Sequence, residues 1–271
     1  MEASSMTYFY TNDHTRLYYE DSQNKQGQPM ILIHGYGGSH AEFLNQQRAF
    51  EALGFRVIVL DLRNHGASAR TGKGARISRL GADLADVIRE LNLDHVILVG
   101  HSMGAAVIWA YLSIYGEARV AQVVTIDQSP KALNTDDWPY GLLDDSWDNL
   151  SLTARNVEHV KMTVKHLPDN VYYAIRTVQA EHPFNYEQNE PLLLNHLVQD
   201  WRDVIRTYRD LPQLFVAGGE SPLWSSDYAA TYQHITDDQA EVAIVPHTGH
   251  LPHVEDPETF NTILTSFVNT H

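Results

Sequence analysis

The chain contains 271 residues, of which 43% are hydrophobic and 20% charged, and its formal net charge is −15. The absence of cysteine excludes disulfides, thiolate catalysis, iron–sulfur clusters and zinc sites built from cysteine, and the acidic excess gives nucleic acid no reason to bind. No stretch approaches the roughly 20 apolar residues of a membrane span, and residues 1–10 lack the basic and apolar regions of a signal peptide, so we expect a cytoplasmic protein.

Short apolar runs bounded by turn residues predict the strands. The sequence has six such runs, at residues 29–33, 55–60, 95–99, 120–126, 213–217 and 240–245. Because these runs do not alternate between polar and apolar residues, they are typical of parallel strands buried on both faces. Residues 8–19 alternate weakly and predict an antiparallel hairpin at one edge of the sheet.

Helical patterns lie between the strand patterns. Residues 79–91 place apolar side chains at a period of 3.6, and residues 105–115 are apolar nearly all round, as in a helix buried against a sheet. The alternation predicts an α/β fold with a doubly wound, mostly parallel sheet.

Residues 131–207 break this alternation and predict a helical cap inserted into a core formed by residues 1–130 and 208–271. The candidate helices in this segment span 152–167 and 171–180. The segment contains Trp138, Trp147 and Trp201. These side chains either pack the insertion onto the core or line the roof of a pocket, and Trp138 and Trp147 are the candidate substrate-pocket residues.

The segment Gly100-His101-Ser102-Met103-Gly104 fits the pattern G-x-S-x-G. It follows a predicted strand and precedes a predicted helix, which is the context of a nucleophile elbow. In such a turn the serine backbone is strained, the hydroxyl is lifted above the sheet edge, and the flanking glycines avoid clashes. Ser102 is therefore the candidate nucleophile.

With this motif the sequence resembles the α/β-hydrolase family over nearly the whole chain. Four segments match the family in order, and together they are far more specific than any one of them. The first is residues 34–38, after the first predicted parallel strand. The second is residues 61–68, a variant of D-x-R-G-x-G-x-S with Asn64 in place of the first glycine. The third and fourth are the elbow at 100–104 and Gly249-His250 after the last strand.

The resemblance implies roles for several residues. The backbone N–H groups of Tyr36 and Met103 would form an oxyanion hole, and His250 would be the general base that activates the serine. His34 would be structural. Although His247, His250 and His253 are spaced by three, Gly249 and Pro252 interrupt any helix there, so we predict no metal site.

The acid that orients the base is where this sequence departs from the family pattern. The usual aspartate position after the penultimate strand holds Ser221, which has no charge to stabilise an imidazolium. Asp127, at the end of the strand at 120–126, can take this role. Some members of the family carry the acid at this place. Glu220 is the alternative acid, and a site without an acid is the third reading. We favour Asp127.

These residues predict a serine hydrolase that cleaves a small carboxylic ester through an acyl-enzyme, without a cofactor. Lactonase, C–C hydrolase, amidase and cofactor-free perhydrolase activities use the same triad and stay open. A catalytically silent ligand-binding protein is the alternative from a different class, suggested by Ser221. The serine nucleophile argues against dehalogenase and epoxide hydrolase chemistry, which use an aspartate there. The expected partner is a small-molecule ester, and the tryptophans of the insertion suggest an apolar acyl or alcohol group.

Overall fold

The computed structural model describes residues 7–271, apart from the side chain of Asp144. Residues 1–6, which begin the segment judged not to be a signal peptide, lie outside the described part. Within that part the chain forms eight strands: β1 (Thr7–Tyr10), β2 (Arg16–Asp21), β3 (Pro29–Ile33), β4 (Arg56–Leu60), β5 (Val96–His101), β6 (Val120–Ile126), β7 (Gln213–Gly218) and β8 (Glu241–Val245).

All eight strands of the described chain form one sheet in the order β1-β2-β4-β3-β5-β6-β7-β8. The pairs β1–β2 and β2–β4 are antiparallel, and the pairs from β4 to β8 are parallel. The six parallel strands and the edge hairpin match the predicted runs within a residue or two. The predicted mostly parallel α/β fold is therefore confirmed.

Helices cover both faces of this sheet. Those between residues 7 and 271 are α1 (Leu44–Ala52), α2 (Ile77–Glu90), α3 (Met103–Tyr115), α4 (Leu150–Asn156), α5 (Asp169–Glu181), α6 (Tyr186–Leu197), α7 (Arg202–Thr207), α8 (Ala229–Ile235), α9 (Pro252–Glu255) and α10 (Pro257–Thr270). Among them, none is long and apolar enough to cross a membrane.

Alternate residues of the strands enter two hydrophobic clusters. On one face Ile31 and Ile33 pack with α2, α3 and α8, and on the other Met30 and Leu32 pack with α1 and α10. Because both faces are covered, the parallel strands consist of apolar residues almost without interruption. The carboxyl ends of β3, β5 and β6 lie side by side, where ligands bind in sheets of this kind.

The chain between β6 and β7 forms helices α4 to α7, as the sequence predicted in outline. The prediction of a helix over 152–167 is wrong beyond Asn156: a short 3₁₀ turn follows at Val157–His159 and then an irregular segment. Helices α6 and α7 were not predicted, and Pro191 lies inside α6. The boundaries of a cap at residues 131 and 207 stay a prediction.

Candidate active site

Ser102 lies in the turn between the central strand β5 and helix α3. Its backbone has φ 51° and ψ −123°, a sparsely populated combination that costs about 1–3 kcal/mol. The serine N–H donates a hydrogen bond of 2.8 Å to the carbonyl oxygen of Ile126 on β6, which holds the turn. A Cβ on Gly100 would lie 2.5 Å from the carbonyl oxygen of Gly104, so the close packing of this turn requires glycine. The strand and the helix predicted on either side of Ser102 are both present.

His250 and Asp127 meet at the carboxyl end of the sheet. His250 lies in the loop between β8 and α9, Asp127 directly follows β6, and the His250 Nδ1 atom is 2.7 Å from Asp127 Oδ2. Since a carboxylate only accepts hydrogen bonds, Nδ1 donates and Nε2 is left free to accept a proton. Burial lowers the pKa of His250 below its ordinary value, against the effect of Asp127. The ring is therefore neutral near pH 7.

Asp127 is fully buried and held by several donors. Its Oδ1 accepts from the backbone N–H of Gly218 at 2.9 Å and from the Tyr228 hydroxyl at 3.4 Å. Its Oδ2 accepts from the Ser221 hydroxyl at 2.6 Å, and its backbone carbonyl accepts from the Trp224 indole at 3.1 Å. These donors fix the carboxylate in one orientation, with Oδ2 toward His250.

Glu220, the alternative acid, points elsewhere. Its Oε1 lies 2.8 Å from Nδ1 of His247, and both side chains are largely exposed. The one-residue offset from Ser221 has turned the carboxylate away from the cleft. The structure thus brings His250 together with Asp127 and leaves Glu220 at the surface.

A buried ion pair, His101 with Glu42, lies beside the nucleophile and was missed by the sequence analysis. The Nδ1 atom of His101 is 2.9 Å from Glu42 Oε1, and its Nε2 is 2.8 Å from the backbone carbonyl oxygen of His250. Both ring nitrogens face acceptors, so the ring carries two protons. Burial opposes this charge, but Glu42 outweighs it and raises the pKa of His101. Burial alone would raise the pKa of Glu42, but the charge and hydrogen bond of His101 outweigh this effect and lower the pKa to about 2.

The loop after β3 lies directly against the nucleophile. A Cβ at Gly35 would be 3.0 Å from the Cβ of Ser102, so the residue after Gly35, Tyr36, begins beside the serine. Below it, His34 donates from Nδ1 to the Gly35 carbonyl at 2.7 Å and accepts at Nε2 from the Leu62 N–H at 3.1 Å. His34 is thus committed to loop backbone, in line with the structural role expected for it.

The segment at residues 61–68 supports this loop from below. Asp61 accepts from the N–H groups of His40 at 2.6 Å and Ala67 at 2.8 Å. Asn64 stands where the family pattern has glycine and has a φ of 67°, which asparagine tolerates better than most residues. Arg63 forms two hydrogen bonds to Asp83, at 2.6 and 2.7 Å. Arg63 therefore pairs with a buried carboxylate.

A cavity of about 240 Å³ opens above Ser102 and His250. Its walls come from the loop after β3, from α5 and α6, and from the segment after β7, and most of its lining is apolar. The side chains that supply the apolar walls include Ile175, Val178, Leu193, Leu197, Leu223 and Trp224. The ring of Tyr36 also lines the cavity and packs edge-on against Phe184, with their centroids 5.0 Å apart.

The interpretation of Trp138 and Trp147 as pocket residues is wrong. Neither lines the cavity. Trp138 is buried and donates from its indole to the Lys131 carbonyl at 3.0 Å, while Trp147 is 67% exposed. The insertion does form the roof, but with aliphatic side chains of α5 and α6. The tryptophan that lines the cavity, Trp224, lies after β7, outside the insertion.

Three histidines with a spacing of three do not converge. His247 is at the surface, bonded to Glu220, while His250 faces Asp127 and His253 stacks on Phe43 in the interior. Among the described residues a different trio, Glu42, His101 and His253, has potential ligand atoms within 4.8 Å of one another. Both nitrogens of His101 are engaged in hydrogen bonds. Neither ring nitrogen of His253 has a hydrogen-bond partner among the described residues, and its Nε2 lies 3.8 Å from Glu42 Oε1.

Comparison with known proteins agrees with this architecture. The model of the alpha/beta hydrolase family matches residues 30–263, so the chain belongs to that family and the resemblance found in the sequence is confirmed. The structure aligns with an esterase (EaEST) from Exiguobacterium antarcticum at a TM-score of 0.86 with 21% identity, covering 98% of this chain and 100% of that one. A bromoperoxidase from Bacillus anthracis aligns at 0.84 with 23% identity, covering 98% and 100%. These two likenesses establish the fold.

Relatives by sequence include proteins named haloperoxidase and lipase. A non-heme haloperoxidase of Rhodococcus erythropolis is 34% identical over 138 residues, which are 51% of this chain and 50% of the relative. An sn-1-specific diacylglycerol lipase, ABHD11, of Xenopus tropicalis is 26% identical over 255 residues, covering 90% of this chain and 79% of the relative. The chain thus spans about half the length of the haloperoxidase relatives that it matches.

Proposed function

We propose that this protein is a serine hydrolase that cleaves small carboxylic esters through an acyl-enzyme. The observation that carries the proposal is the 2.7 Å contact of His250 with Asp127, in the same cleft as Ser102 in its strained turn. Membership of the alpha/beta hydrolase family and the similarity to esterase and lipase proteins support it.

In the first half-reaction the Ser102 hydroxyl attacks the ester carbonyl. His250 Nε2 takes the serine proton and passes it to the departing alcohol oxygen. Asp127, which only accepts, keeps the ring in the tautomer with the proton on Nδ1 and stabilises the imidazolium that forms. The strained turn and the donors around Asp127 hold these groups before substrate arrives, so little reorganisation is needed during reaction.

The negative charge on the carbonyl oxygen needs donors aimed at it. We assign this role to the backbone N–H groups of Met103 and Tyr36. Met103 is the first residue of α3, so its N–H precedes the hydrogen bonds of the helix and the positive end of the helix dipole adds to its effect. Tyr36 follows Gly35, which packs against Ser102.

Deacylation reverses these steps with water as the nucleophile. His250 removes a proton from water, the resulting hydroxide attacks the acyl carbon, and Ser102 leaves with its proton restored. Perhydrolysis is the second candidate activity, favoured by the 34% identity to a non-heme haloperoxidase. In that reaction hydrogen peroxide replaces water and the product is a peracid. That the protein acts in the cytoplasm and binds no nucleic acid stays a prediction from its composition.

The test is the hydrolysis of p-nitrophenyl esters of increasing acyl length by the wild-type protein and by Ser102→Ala. The proposal expects burst release with the wild type and a loss of turnover of several orders of magnitude in the variant. Unaltered melting temperature would show that only the chemistry is lost. Turnover of more than a few per cent of wild type in Ser102→Ala would exclude the serine as nucleophile, and inactivity of both proteins would favour a silent binding protein.

A further inference from the structure

Gln128 and His196 are buried polar side chains in the largely apolar lining of the cavity above Ser102. Gln128 is 3% exposed and His196 is 6% exposed, and both line this cavity. In each, one side-chain atom has no hydrogen-bond partner among the described residues: Oε1 of Gln128 and Nδ1 of His196. A buried polar atom without a partner costs about 1–3 kcal/mol, so these atoms point to a ligand that supplies partners.

The hydrogen bonds around Gln128 determine which of its atoms is free. Its Nε2 donates to the carbonyl oxygen of Ser129 at 2.8 Å. A flipped amide would place Oε1 against that carbonyl, so the orientation is fixed and the free atom is an acceptor. On the other side, the hydroxyl of Tyr232 donates to the backbone carbonyl of Gln128. Gln128 directly follows Asp127 and lines the cavity, so a ligand there that carries a hydrogen-bond donor would satisfy its free oxygen.

His196 contributes a neutral imidazole from α6. Burial lowers the pKa of His196 to about 4, with a smaller effect from the charge of His250. At neutral pH the ring offers one donor and one acceptor. A hydroxyl group that donates to Oε1 of Gln128 accepts at the same time from the protonated nitrogen of His196. The aliphatic walls around them suit a carbon chain.

We propose that the substrate is a carboxylic ester with a hydroxyl group on its otherwise apolar acyl or alcohol part, and that Gln128 and His196 bind this hydroxyl. The inference rests on the proposed function and names its substrate class. A site built to hydrogen-bond a substrate hydroxyl discriminates against the analogue that lacks it, because its own polar atoms then stay unpaired.

The test compares kcat/KM for matched esters. One series consists of ethyl butanoate and the ethyl hydroxybutanoates, which carry the hydroxyl on the acyl part. The other consists of butyl acetate and the hydroxybutyl acetates, which carry the hydroxyl on the alcohol part. We expect at least one hydroxylated ester to exceed its parent by about 10- to 100-fold, and the series in which it occurs identifies the part that enters the subsite.

Three variants separate recognition from general effects. Gln128→Leu and His196→Phe should each bring the ratio of hydroxylated to parent ester toward one. The matched control is Gln122→Leu, because Gln122 is also buried with an unpartnered Oε1 among the described residues, but lies on β6 outside the cavity. Its ratio should equal that of wild type. His196→Phe, on a different element, serves if Gln128→Leu fails to fold.

The outcomes distinguish this inference from the proposed function. Ser102-dependent hydrolysis of the parent esters without preference for any hydroxylated one would overturn the inference and leave the esterase proposal standing. A preference that persists in both Gln128→Leu and His196→Phe would overturn the assigned residues. Absence of hydrolysis of every ester would overturn the proposed function and this inference with it.

Discussion

Ser221 donates a hydrogen bond to the same carboxylate oxygen of Asp127 that His250 contacts. The hydroxyl lies 2.6 Å and the imidazole Nδ1 2.7 Å from Oδ2. Ser221 stands where the family resemblance leads one to expect the acid, and Asp127 comes from the end of the strand next to it. The two residues thus follow the ends of the neighbouring strands β6 and β7. Where the family pattern has an acid, Ser221 supplies a hydroxyl donor that orients the carboxylate of Asp127.

This arrangement predicts a graded response to substitution around the acid. Asp127→Asn should lower kcat by about 10⁴, because the amide favours the wrong imidazole tautomer and cannot stabilise the imidazolium. Ser221→Ala should cost roughly tenfold, the loss of one hydrogen bond to a charged group. Glu220→Gln, which alters an exposed neighbour, is the control and should stay close to wild type. Steady-state kinetics on one ester checks the series, and a severe Glu220→Gln defect beside a mild Asp127→Asn defect would reverse the assignment.

The pH dependence should reflect the charged neighbour of the base. The kcat/KM profile should rise with pH as His250 loses its proton, with an apparent pKa below the ordinary 6.5, since burial lowers the pKa of His250 and the charge of His101 adds to this effect. Glu42 and Asp127 act in the opposite direction and His196 is neutral.

His101→Gln removes the cation and leaves Glu42, so the acid limb should move to higher pH by about one unit. His95→Gln, at an exposed histidine, is the control and should leave the limb in place. An unshifted limb in a folded His101→Gln variant would show that this charge does not act on His250.

Acyl-chain preference should follow the aliphatic roof. Val178 on α5 lines the cavity, so Val178→Phe should shift preference toward shorter acyl chains. The loss of kcat/KM should be about tenfold for each acyl methylene that the larger side chain excludes. Trp147→Ala, at an exposed residue outside the cavity, should leave the ranking of esters unchanged. The panel of p-nitrophenyl esters measures both. A changed ranking in Trp147→Ala alone would restore the original interpretation of the tryptophans.

Stability should depend on the ion pair beneath the 61–68 segment. Arg63 and Asp83 are 1% and 0% exposed and joined by two hydrogen bonds. Arg63→Leu leaves the buried carboxylate with Arg79 as its remaining charged partner and should lower the free energy of unfolding by about 3 kcal/mol, the low end of the cost of breaking a buried pair. Arg155→Leu, in an exposed pair with Glu190, should be neutral within error. Urea denaturation gives both values, and a neutral Arg63→Leu would mean that Arg79 alone compensates the charge of Asp83.

The sequence predicted best where local pattern and environment coincide. The buried parallel strands are continuous apolar runs, so their positions follow from composition alone, and the turn at Ser102 is marked by its glycines. Asp127 could be proposed because it ends a strand next to that of the nucleophile. In each case the determining residues lie within a few positions of one another.

Features set by distant contacts could not be predicted in this way. The segment after His159 is not helical because its backbone bonds to remote groups: the Met162 carbonyl accepts from the His250 N–H, and the N–H groups of Val164 and Lys165 donate to Glu255. The same holds for Glu42 and His101, which are 59 residues apart. The tryptophans misled because an aromatic residue in an insertion packs the core as readily as it lines a pocket.

The central claim is that Ser102 is the nucleophile of the cleft formed with His250 and Asp127. The most direct measurement is the intact mass of the protein after exposure to a fluorophosphonate, with the modified residue located by peptide mapping. We predict one phosphonyl adduct on Ser102, absent in Ser102→Ala and formed far more slowly in a folded His250→Ala variant, which lacks the base. No adduct on the wild type, or an adduct retained in Ser102→Ala, would contradict the account.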